Sequence, residues 1–95
     1  MNKILWQKQA ITDLYQVREY LQALNPQAAR ATIERIEKVV NQLRTYPMSG
    51  RMGREPNTRE LVISRTPFLV VYRVTPEAVE ILSVFHTSKQ WPDAV

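Results

Sequence analysis

Apolar and polar positions change their period twice along this chain. Lys3 to Trp6 is a short apolar stretch that suits a first edge strand. From about Gln9 the spacing becomes helical. Ala10, Leu14, Val17, Leu21 and Leu24 fall on one stripe with Ile11 beside it, while Asp13, Gln16 and Glu19 lie off it. Asn25-Pro26 closes this helix and opens a second. Asparagine is a good N-cap, and proline suits the first helical position, where its missing N–H has no partner to lose. The second helix is expected from Pro26 to about Thr45, with Ala29, Ile33, Ile36, Val40 and Leu43 as its buried stripe. Glu34 and Lys38 stand at i,i+4 on its exposed face. So short a connection makes an antiparallel helical hairpin.

Residues 46 to 58 hold both glycines, Gly50 and Gly53, and two prolines, Pro47 and Pro56, and read as a loop with solvent-facing arginines. The period then becomes two. Arg59–Ser64, Phe68–Val74 and Val79–His86 read as a three-stranded antiparallel meander with proline in each break. In the middle strand Phe68, Val70, Tyr72 and Val74 face one way, and Leu69, Val71 and Arg73 the other. In the last strand Val79, Ile81, Ser83 and Phe85 alternate with Glu80, Leu82, Val84 and His86. Thr87 to Val95 looks irregular. The fold class is α+β, in the order β-α-α-β-β-β, with the hairpin packed on one face of a small, mainly antiparallel sheet. Residues 1–95 form one domain by length. Too few elements remain to cover the second sheet face, so apolar surface there calls for a partner.

Composition narrows the classes. The 44% hydrophobic content argues against wholesale disorder. No apolar run approaches the roughly 18 residues of a membrane span, and Met1 to Lys8 turns polar too soon for a signal peptide. There is no cysteine and one histidine, which leaves no basis for a disulfide or a zinc cluster. A cytoplasmic protein without metal or cofactor is expected. Net charge is +4, and Arg44, Arg51, Arg54, Arg59 and Arg65 stand against Glu55 and Glu60 alone. That balance favours a polyanionic partner, or simply solubilises the surface.

The loop Tyr46-Pro47-Met48-Ser49-Gly50-Arg51, the phrase Arg59-Glu60-Leu61-Val62, and Val71-Tyr72-Arg73-Val74 followed by Val79-Glu80-Ile81-Leu82 and Phe85-His86 resemble the RelE/ParE toxin superfamily. Ala10 to Leu14 resembles the start of that family's first helix. The resemblance covers nearly the whole chain. It implies a cytoplasmic, growth-arresting toxin of a type II toxin–antitoxin module, of the kind tied to plasmid stabilization. A cognate antitoxin would hold it inactive in a hetero-oligomer and supply the DNA binding.

The superfamily divides by target. RelE-like members cut messenger RNA on the ribosome, and ParE-like members inhibit DNA gyrase. RNA cleavage through the 2′-hydroxyl needs a base, an acid and cations for the phosphate. RelE-like nucleases commonly carry an arginine three positions before the strand tyrosine, where this chain has Leu69, and a terminal Tyr or His after a basic residue. For a nuclease, the available residues are Arg59, Arg65, His86 and Lys89, with His86 as a neutral-range base. Alternatively, His86 ends a strand and bonds locally. Arg73 is expected to reach the sheet edge or pair with Glu60 or Glu80, and Tyr72 to lie in the core. Trp6 and Trp91 are either core or contact residues.

Glu60 to Ile63 before Pro67-Phe68, and the ending His86 to Trp91-Pro92, resemble the ParE-like phrase more closely. The resemblance therefore implies gyrase inhibition rather than mRNA interferase activity, with no catalytic residue assigned. His86, Lys89 and Trp91 are then candidates for target contact. A third reading is a decayed, non-toxic homologue that retains only antitoxin binding.

Overall fold

The computed structural model describes residues 2–87. The elements are β1 (Lys3–Trp6), α1 (Lys8–Leu24), α2 (Pro26–Gln42), β2 (Arg51–Met52), β3 (Arg59–Val62), β4 (Phe68–Val74) and β5 (Ala78–His86). The sheet order is β1-β5-β4-β3-β2. β2 through β5 pair antiparallel, while β1 lies parallel to β5 with Ile4 opposite Val79 and Trp6 opposite Ile81. The expected meander is present, and β2 adds a strand inside the segment read as loop.

Asn25 makes the break between the helices. Its Oδ1 accepts from the backbone N–H groups of Gln27 (3.0 Å) and Ala28 (3.2 Å), and Pro26 follows at the first helical position. Two orphan donors of α2 are thereby satisfied. Past Gln42 the chain tightens, with Leu43 and Arg44 N–H groups bonding three residues back, and the helix ends short of Thr45.

The helices cover one face of the sheet. Ile36, Val40 and Leu43 are buried against Val70, Tyr72, Val79 and Ile81, and Ile4, Trp6 and Leu14 pack on the rim of this cluster. Each fully buried aliphatic side chain there contributes about 1.5–3 kcal/mol relative to exposure. The two helices differ in reach. α2 buries Ala29, Ile36 and Val40, whereas α1 fully buries Ala10 alone, and Leu24 on its expected stripe is 69% exposed.

β5 departs from strict alternation. Tyr72 stands opposite Ile81, but Val71 stands opposite Ser83, so Leu82 is an extra residue in the strand. Such a bulge advances the side-chain phase by one. Beyond it, Val84 and His86 share the helix-covered face with Val70 and Phe68, and Ser83 and Phe85 turn to the open face. This corrects the alternation expected for Val79 to His86. The backbone N–H of Val84, past the stretch that β1 pairs, donates to Asp13 Oδ2 at 3.0 Å. Asp13 in turn accepts from Gln9 Nε2 through its other oxygen. A helical carboxylate thus finishes the bulged strand and ties α1 to the sheet.

Candidate functional site

Chemistry-bearing residues gather at the two ends of β4. Near its C-terminal end stands Tyr72, completely buried. A buried tyrosine hydroxyl needs partners, and this one has two. It donates to the Pro47 carbonyl at 2.7 Å and accepts from the Gly50 N–H at 2.8 Å. The close approach requires glycine, because a Cβ at residue 50 would lie 2.7 Å from the Tyr72 hydroxyl and 2.9 Å from the Glu60 carbonyl oxygen. Arg59, opposite Tyr72 on β3, donates from Nη1 to the carbonyls of Gly50 (2.7 Å) and Met48 (3.3 Å). Glu60 is buried. Its Oε1 accepts from Arg51 Nη2 and its Oε2 from the Arg54 N–H, both at 3.2 Å. Tyr72, Arg59 and Glu60 therefore clamp residues 47–54 onto the sheet.

The other end of β4 holds Phe68 opposite His86, edge to face with ring centroids 5.2 Å apart. His86 is half-buried. Beside this pair, the β3–β4 turn is closed by Thr66 Oγ1, which donates to Ile63 and accepts from the Phe68 N–H. Arg65 sits exposed in the turn with φ 67°, left-handed backbone that a branched side chain would resist. The Thr87 N–H donates to the Pro67 carbonyl, so the turn and the end of β5 are joined.

The four nuclease candidates are thus placed as follows. Arg59 and His86 stand opposite Tyr72 and Phe68, four residues apart along β4 and roughly 13 Å at strand rise. The Arg59 guanidinium is bonded to loop carbonyls. Arg65 shares the His86 end. Lys89, and with it Trp91, lies outside the described residues. Leu69 occupies the open face beside Val62 and Phe85, so the position where RelE-like nucleases carry arginine lies in an apolar strip. Arg73 pairs with Glu80, its Nε 3.0 Å from Oε1, the second of the two partners expected for it.

Trp6 is half-buried and lines a cleft of about 320 Å³ between the helices, with Leu14, Tyr15, Arg18, Ile33 and Glu37. Sequence reading missed the clamp. Two signals were available: a hydroxyl-bearing residue in a core strand, and a glycine in a short basic loop. It also missed Asp13, which counted only as lying off the apolar stripe.

The comparisons agree with this architecture. Residues 4–91 match the family described as the ParE toxin of the type II toxin–antitoxin system, parDE. Y4kP of Sinorhizobium fredii, provisionally described as a toxin, is 39% identical over 93 residues, 98% of this chain and 96% of that protein. Toxin RelE2 of Caulobacter vibrioides is 29% identical over 89 residues, 94% of this chain and 99% of its own. A solved chain from the chromosomal ParDE system of P. aeruginosa superposes with a TM-score of 0.85 at 25% identity, covering 93% of this chain and 98% of that one. The chain belongs to the ParE toxin family and is a toxin of a type II toxin–antitoxin system, with an antitoxin as its partner.

Proposed function

We propose that this toxin arrests growth by inhibiting DNA gyrase rather than by cutting ribosome-bound messenger RNA. The observation that carries this reading is the apolar strip on the open face. Leu69 stands between Val62 and Phe85, where a phosphate-binding cation would serve cleavage. Separation of the candidates supports it as well. A base at His86 and a cation at Arg59 would act on one scissile phosphate only within a few ångström of a common point, and they stand at opposite ends of β4. The end of β5 offers the half-buried His86 ring backed by the buried Phe68, an exposed arginine turn and the start of the His86–Trp91 segment. These are the elements of a contact surface for a protein target.

The test is growth arrest on induction in cells carrying a DNA-damage reporter, with labelled methionine incorporation followed in parallel. The reporter is expected to rise before translation declines. An immediate block of translation with a silent reporter would reverse the assignment. Absence of any arrest would favour the non-toxic homologue.

A further inference from the structure

Nine large hydrophobic side chains are exposed among the described residues, and three of them fall within seven residues: Tyr46 at 67%, Met48 at 59% and Met52 at 71%. Met48 and Met52 project from the segment that Tyr72, Arg59 and Glu60 clamp, and Tyr46 stands immediately before it. Ser49 adds a backbone bond to Tyr46, and β2 pairs with β3. A backbone already held in place has little further freedom to lose on binding, so the main chain of this surface is pre-organised for a partner. Its charge selects the kind. Arg44, Arg51 and Arg54 belong to the same stretch, Glu55 is its sole acid, and the neighbouring Glu60 is buried under Arg51. Methionine, tyrosine and arginine are the residue types enriched at protein interfaces. Phosphate backbone would use the arginines and leave the methionines without a role, so a polypeptide fits better than nucleic acid.

We infer that the Tyr46–Met52 segment is a docking surface for an acidic stretch of the antitoxin, with Tyr46, Met48 and Met52 as its apolar anchors. This rests on the antitoxin being the partner of this chain. The surface lies at the opposite end of β4 from His86. The antitoxin can therefore grip here without relying on the end of β5 proposed for target contact.

Met48 and Met52 are built-in reporters. Toxin co-expressed with its antitoxin, and toxin freed from it, are exposed to dilute hydrogen peroxide, and sulfoxide at each methionine is followed by mass spectrometry with an added methionine-containing peptide as reference. Oxidation of both is expected to slow at least tenfold in the complex. Unchanged rates in a co-eluting complex would overturn the inference while the partner assignment stood. Failure of the chains to co-elute would remove the partner assignment itself. Protection by duplex DNA but not by antitoxin would make this a nucleic-acid surface and overturn the inference too. As an independent check, Met48→Ala with Met52→Ala is expected to weaken antitoxin binding at least tenfold. Arg54→Glu is expected to weaken it most at low salt. Wild-type affinity in both variants would also overturn the inference.

Discussion

The two ends of β4 use similar residue types to opposite purposes. At the Tyr72 end, an arginine, a glutamate and a tyrosine are turned inward onto backbone groups, and every one of them holds residues 47–54 in place. At the Phe68 end, arginine is turned outward on a left-handed residue and the histidine packs against an aromatic ring. A charged residue therefore says little about chemistry until its partners are known. Arg59 looked like a phosphate ligand, and its guanidinium has two carbonyls.

The sharpest way to break the comparison is at Tyr72. Tyr72→Phe removes one oxygen and leaves the Gly50 N–H and the Pro47 carbonyl without their partner. A loss of about 1–3 kcal/mol is expected, read as a lower denaturation midpoint with unchanged slope. A loss below a few tenths would mean that the clamp is ornamental. At the other end, Arg65→Val is expected to destabilise by about 1–2 kcal/mol through its left-handed backbone, while Arg65→Gly is not. Equal stability of the two would show that the turn can relax. His86→Ala removes an edge-to-face pair of about 1 kcal/mol and one contact of the proposed target surface, and is expected to reduce toxicity in induced cells in part without abolishing it. Complete loss of toxicity in a variant that still folds and still binds gyrase would return His86 to a catalytic role. The smallest effect is expected at the Arg73–Glu80 pair. Arg73 is 46% exposed, and Arg73→Ala is expected to shift stability by less than about 1 kcal/mol, with the shift fading at high salt.

Local chemistry made parts of the fold legible. Asn25-Pro26 marked the helix boundary because a side-chain cap and a missing N–H act within three residues. The α2 stripe held because Ile36, Val40 and Leu43 stay over the sheet. The corresponding stripe of α1 packs less deeply: Ala10 is buried, Leu14, Val17 and Leu21 are half-buried against the core, and Leu24 at its end is exposed. A helix of 17 residues runs roughly 25 Å, and periodicity names a face without telling where the sheet stops. The phase of β5 was illegible past Leu82, because a bulge is settled by pairing with β4 and not by the strand's own pattern. β2 was hidden for a similar reason, being two residues that exist as a strand only through Glu60 and Arg59. At the site, Leu69 was legible by position, and its apolar neighbours Val62 and Phe85 required the register. The bond from Val84 to Asp13 joins residues 71 apart, beyond any local pattern.

The central claim is that the molecule presents a contact surface, not a cleavage centre, to its target. It is tested most directly by purified toxin, freed of antitoxin, added in parallel to gyrase supercoiling of relaxed plasmid and to ribosomes stalled on a defined transcript. The expected result is dose-dependent loss of supercoiling with the transcript intact. Cleavage of the transcript in the ribosomal A site, with supercoiling untouched, would contradict the account.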